Sequence, residues 1–130
     1  MVIVDQLQDL LFVSFGAILG ANTRFELNNK LAKLNFRKDI SILIINIFAS
    51  FYLGLFLSFL EHFNSFIYSY QLLLFFSIGF LGSLSTFSSF VYDLFEFCLK
   101  LKFARALKLL IISWSLGIMA FALGCLLGTQ

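Results

Sequence analysis

From Leu72 to Tyr92 the chain carries no charged side chain, and a stretch of that length suffices to cross a bilayer, which takes about 20 residues. Its centre, however, holds Gly79, Gly82, Ser83, Ser85, Thr86, Ser88 and Ser89. Glycine loosens a helix, and hydroxyls offer the backbone competing hydrogen bonds. In lipid such an interruption is tolerated only where protein or a water-filled cavity takes up the freed N–H and C=O groups. Interrupted membrane helices are also where transport proteins hold ions. The stretch predicts a membrane helix broken near mid-membrane. Phe87 and Phe90, three apart, should share one face of the helix that follows.

The rest of the chain agrees with a membrane setting. Of its 130 residues 61% are hydrophobic and 12% charged, with mean hydropathy +0.99; a soluble domain carries about 25% charged residues. So much apolar surface cannot be hidden in one small soluble core, and the bilayer must serve as solvent. Four apolar runs stand out: Leu10–Ala21, Ile40–Leu60, Leu72–Tyr92 and Leu109–Gly128. With their flanks they predict an all-α membrane protein of one domain, residues 1–130, with spans over 7–25, 40–60, 71–97 and 105–128. A cleaved signal peptide is the other reading of the first run. No Lys or Arg precedes that run, whereas Asp5 and Asp9 do, which argues against it.

Every Lys and Arg falls in two places. Arg24, Lys30, Lys33, Arg37 and Lys38 lie between the first and second runs, and Lys100, Lys102, Arg105 and Lys108 lie between the third and fourth. With four spans these two connections share one side of the membrane. The opposite side offers Asp5, Asp9, Glu61 and His62. The positive-inside rule then places connections one and three in the cytoplasm and both termini outside, in the cell (inner) membrane.

Four strings together resemble the Fluc (CrcB) family of fluoride channels, in order along the whole chain. The glycine-rich Gly79-Phe80-Leu81-Gly82 runs into Thr86-Phe87-Ser88-Ser89-Phe90, similar to the family's Thr-Phe-Ser-Thr-Phe. Gly20-Ala21-Asn22-Thr23-Arg24-Phe25 is similar to the Gly-Ala-x-x-Arg-aromatic end of its first helix. Asn46-Ile47-Phe48-Ala49-Ser50-Phe51 fits its second-helix pattern, with Ala49 in place of a glycine. The resemblance implies a passive channel through which cytoplasmic fluoride leaves the cell, built as an antiparallel (inverted) dimer. Many members insert both ways and pair as homodimers with balanced charge. The one-sided charge here instead implies the two-gene kind, in which an oppositely biased paralogue supplies the inverted half; a homodimer is the alternative.

The same resemblance assigns roles. Phe87 and Phe90 match the pore-lining phenylalanine pair, with Thr86 beside them. Ring edges are electropositive, so they can face an anion without holding it tightly, as a conducting site requires. Ordinary helix contact is the plainer reading of two phenylalanines in a chain with 19. Asn46, the one amide of the second span, matches the family's pore asparagine, and Ser50 one turn later extends a polar strip; interhelical hydrogen bonding is the bland reading. Ser113 and Gly117, four apart, form either a polar track or a small-residue seam. Leu109 and Phe121 stand where some members carry further polar groups. Gly82 and Ser85 match positions whose backbone carbonyls hold a structural sodium ion at the dimer centre. Arg24 matches an arginine that would raise anion concentration at the cytoplasmic mouth or anchor helix one.

Two other function classes fit a chain of this kind. A small multidrug-resistance-type proton-coupled transporter needs a carboxylate within the membrane, conventionally in helix one, and Leu10 to Thr23 contains none. A non-conducting assembly subunit would use its polar strips only to join helices. Cys98 and Cys125 are expected on opposite membrane faces, which makes a disulfide implausible. His62 beside Glu61 reads as a solvated loop pair. The Lys100–Lys108 cluster reads as a topology signal with some affinity for lipid headgroups, not as a nucleic-acid patch.

Overall fold

The protein is described by a computed structural model covering residues 2–62, 69–85 and 87–129. Helix α1 spans Val2–Lys33 and α2 spans Lys38–His62. The third stretch is composite: α3 (Ser69–Leu72), a π-helical segment (Leu73–Leu81), α4 (Gly82–Leu84) and α5 (Phe87–Leu99). Helix α6 spans Phe103–Gly128. Among the described residues four stretches are long and apolar enough to cross a membrane, Asp5–Lys33, Lys38–Glu61, Ser69–Leu99 and Phe103–Gly128. The chain is thus an all-α, multi-pass membrane protein. Large apolar side chains such as Phe15, Phe48 and Ile118 are exposed, which is stable only where the solvent is lipid.

Much of what the sequence suggests as basic loops is helix. α1 runs on to Lys33, and only Leu34–Arg37 separate it from α2. Good helix formers such as Glu26, Leu27 and Leu31 favour the continuation, and Lys30 and Lys33 in its last turn complement the negative end of the helix dipole. The turn is made at Asn35, with φ 60°, a conformation asparagine tolerates. The other basic connection is equally short, with Leu101 at φ 55° and Arg105 already inside α6.

The glycines of the third stretch do not stop its helix. Gly79 lies inside the π segment, whose i→i+5 winding is rare and seldom extends beyond a single turn. A Cβ there would stand 2.6 Å from the Val13 carbonyl oxygen and 3.0 Å from Gly16 Cα. Glycine at 16 and 79 therefore lets α1 and the π segment touch backbone to backbone. Helices α2 and α6 form the second close pair. A Cβ at Gly54 would lie 2.2 Å from Phe121 O, and one at Gly124 2.1 Å from Phe51 O. Ser58 Oγ donates to Cys125 O at 3.0 Å across the same seam. Between the two pairs Ile45, Ala49, Leu81 and Leu84 are buried, with Leu27, Leu31, Leu53, Phe76 and Phe80 against them.

The backbone leaves the helix at Ser85, which is extended at φ −71°, ψ 145°. Ser85 N–H still donates to Leu81 O at 3.0 Å. Helix resumes at Phe87. Thr86 lies outside the described residues.

Candidate functional site

Three helices bring short polar or aromatic pairs to one cleft. Asn46 and Ser50 are one turn apart on α2, Phe87 and Phe90 occupy the first turn of α5, and Ser113 and Gly117 are one turn apart on α6. Spacings of three or four residues put each pair on a single face. The α2–α6 seam then holds the first and last pairs opposite each other.

The cleft of about 230 Å³ is lined by Asn46, Ser50, Ser85, Phe87, Phe90, Ser113 and Trp114. An adjoining hollow of about 430 Å³ shares Asn46, Ser50, Ser113 and Trp114 and adds Gly117 and Ile118. No charged side chain lines either one. The polar surface is made of hydroxyls and one amide, all able to donate hydrogen bonds. The Phe87 and Phe90 ring centroids are 6.5 Å apart, tilted 41°. Phe90 is 6% exposed and Phe87 76%: one ring is fixed in the protein, and the other projects from the open side of the cleft.

The structure thus gathers Asn46, Ser50, Phe87, Phe90 and Ser113, together with Ser85. It does not bring Arg24 there, because no wall of the cleft comes from α1. Gly82 is exposed elsewhere, and a Cβ on it would meet only Ser77 O at 3.7 Å. Thr86 falls outside the described residues. Gly117 lines the adjoining hollow and makes no close backbone approach: a Cβ there would lie 3.7 Å from Ser50 Oγ, an ordinary contact. The close backbone approach on α6 is made instead by Gly124. Cys98 and Cys125 are free thiols.

Two residues escaped the sequence reading. Trp114 lines both hollows. Its signal was position, because it is the sole tryptophan and lies well inside α6 instead of at an interfacial belt, where tryptophan concentrates. Asp93, one turn beyond Phe90, is 6% exposed. A carboxylate inside a spanning helix is itself a functional signal, but it falls just past the charge-free run on which the reading was built.

Comparison with known proteins identifies the family. The family model for CrcB-like protein, Camphor Resistance (CrcB), matches residues 11–125. The chain is 68% identical to "Fluoride-specific ion channel FluC 2" of Prochlorococcus marinus (strain NATL2A) over 124 residues, 95% of this chain and 100% of that protein. It is 45% identical over 92 residues to the FluC 2 of Prochlorococcus marinus (strain MIT 9312), covering 70% of each. It is 35% identical over 120 residues to "Fluoride-specific ion channel FluC 1" of Parasynechococcus marenigrum (strain WH8102), covering 92% of this chain and 93% of that protein. Matched over nearly its whole length in both respects, the chain belongs to the CrcB family.

Proposed function

We infer that this chain is a fluoride-specific ion channel subunit, a conducting protein and not an enzyme, through which cytoplasmic fluoride leaves the cell down its electrochemical gradient. The observation that carries the reading is the uncharged cleft of Asn46, Ser50, Phe87, Phe90 and Ser113 in a membrane chain whose relatives are named fluoride-specific channels. Fluoride gives up its water only to substitutes that face it at short range. Amide and hydroxyl hydrogens supply strong partners, and ring edges supply weak ones. A fixed cation in the cleft would hold the ion; neutral donors let it depart.

The same reading extends to assembly. The cleft is shallow and open, with Phe87 projecting from it, so a second chain is needed to make it a closed path. The extended backbone at Ser85 supports a break of the third span near mid-membrane. With its basic residues gathered on one side, the chain would keep connections one and three in the cytoplasm, and an inverted partner would be a chain of opposite bias. Relatives named FluC 1 and FluC 2 fit a two-gene arrangement of that kind. Gly82 and Ser85 would offer backbone carbonyls to a sodium ion at the dimer centre. Their neutral, hard oxygens suit that cation, Gly82 is exposed, and the turn at Ser85 carries its carbonyl out of the helical ladder. Such an ion would supply positive charge that ties two chains together.

Reconstitution into liposomes, alone and with an oppositely biased CrcB paralogue, tests the proposal by fluoride efflux measured with a selective electrode. Fluoride efflux without chloride efflux is expected. Chloride passing as readily as fluoride, or no flux in either pairing, would overturn it.

A further inference from the structure

A second, charged cleft draws on two of the helices that build the first. About 290 Å³ in volume, it is lined by Arg37, Lys38, Asp39, Asp93, Glu96, Phe97 and Lys100. Its walls are the start of α2 and the later turns of α5, the same two helices that carry Asn46 and Phe90. Asp93 lies one turn from Phe90 on the same face, about 4.5 Å further along the axis, and Asp39 lies two turns before Asn46. The charged cleft therefore continues the uncharged one toward the basic side of the molecule.

Three cations and three carboxylates meet there, and two pairs are made. Arg37 clasps Asp39, with Nη2 to Oδ2 at 2.9 Å and Nε to Oδ1 at 3.2 Å. Lys100 is paired with Glu96. Lys38 and Asp93 remain. The Lys38 ammonium rests over the Tyr92 ring, 5.0 Å from its centroid, and no carboxylate among the described residues holds it. Asp93 is 6% exposed, yet its Oδ2 has no hydrogen-bond partner among the described residues. A buried carboxylate oxygen left unbonded is costly, and in a membrane protein such a group marks a pathway.

We propose that this cleft is the basic-side mouth of the conduction path, in which Lys38 draws the anion inward and Asp93 is the like-charged group it must pass. This rests on the fluoride-channel reading and deepens it, because it places the mouth between α2 and α5 and not at Arg24 on α1. Lys38 is the one cation of the cleft uncommitted to a carboxylate, so it can attract a passing anion or turn from Tyr92 to Asp93. In the second position it masks the charge that opposes passage. Arg37 and Lys100, held by their own partners, fix the walls.

The experiment is fluoride efflux from liposomes containing the full chain, with its inverted paralogue if required, at low and high concentrations of an impermeant salt. Lys38→Gln should slow efflux about tenfold at low salt, and the loss should shrink at high salt, since screening weakens attraction by an exposed cation. Lys38→Arg should retain the flux. Asp93→Asn should conduct at least as fast as the unaltered chain, and Lys38→Gln with Asp93→Asn should recover most of the loss. Should Asp93→Asn fail to assemble, Asp93→Ser and the salt dependence of Lys38→Gln decide the matter. Salt-independent loss in Lys38→Gln, or equal loss of assembly in both single variants, would make the pair a structural clasp and overturn the proposal. No fluoride flux from the unaltered chain would instead defeat the channel reading itself.

Discussion

Gly124→Ala and Gly117→Ala add the same methyl group to the same helix, and the structure gives them opposite outcomes. At Gly124 the new Cβ would stand 2.1 Å from Phe51 O and 2.8 Å from Leu55 N. Both are backbone atoms of α2, so no side chain can swing aside. Carbon and oxygen normally keep more than 3 Å apart, so α6 must move away from α2 by about 1 Å. That displacement forfeits a quarter to a half of the dispersion energy of each contact along the seam and stretches the Ser58–Cys125 hydrogen bond. Overpacking of this kind costs about 1–3 kcal/mol, and the loss of contacts around it argues for the upper end. By the usual scaling for a small domain, 2–3 kcal/mol lowers Tm by roughly 10 °C. At Gly117 the added carbon meets Ser50 Oγ at 3.7 Å, an ordinary contact, so stability should change by less than about 0.5 kcal/mol. The assay is thermal loss of the folded species of detergent-solubilised protein, followed by size-exclusion chromatography. Efflux is measured in parallel, since a displaced α6 also widens the gap between Asn46 and Ser113. Gly124→Ala melting within a degree of the unaltered chain, or Gly117→Ala melting as low as Gly124→Ala, would refute the reasoning.

Phe87→Ile or Phe90→Ile should abolish fluoride efflux with assembly retained; because only Phe90 is buried, only its replacement should also lower thermal stability, by about 1 kcal/mol. Ser58→Ala removes the hydrogen bond to Cys125 O and should cost about 0.6 kcal/mol, typical of bonds between membrane helices, seen as a small drop in melting temperature with efflux unchanged. Leu101→Gly relieves a left-handed backbone at an exposed residue and should stabilise by about 1 kcal/mol, measured in the same melting assay; a loss of stability would show that Leu101 makes a contact worth more than its strain.

The spans were legible because hydropathy and bilayer thickness impose length; Asn46, Phe87, Phe90 and Ser113 line one cleft, but it was the resemblance that singled out Asn46, Phe87 and Phe90, since helical spacing says only which residues share a face. The identity of the seams was not legible. Gly117 and Gly124 look alike in a sequence, and only the three-dimensional approach of α2 separates a glycine that lines a track from one that permits backbone contact. The extent of α1 was hidden because charge suggests loop, while Lys30 and Lys33 are good helix residues that also favour a helix C-terminus. Gly79 was read as an interrupter because propensity measures a helix in isolation, whereas here the neighbouring Gly16 uses the missing side chain. Asp93 was overlooked because a window defined by absence of charge ends where the charged group begins.

The π winding of Leu73–Leu81 lies upstream of the rings, and it sets the direction in which they point. A π turn takes up a residue that an α turn would not. Forcing the same residues into ordinary α pitch would swivel everything after them by on the order of 100°. Phe87 and Phe90 would then face a different neighbour, though neither had been altered. The aim of the aromatic pair is thus set by the winding of a segment that lines no part of the cleft.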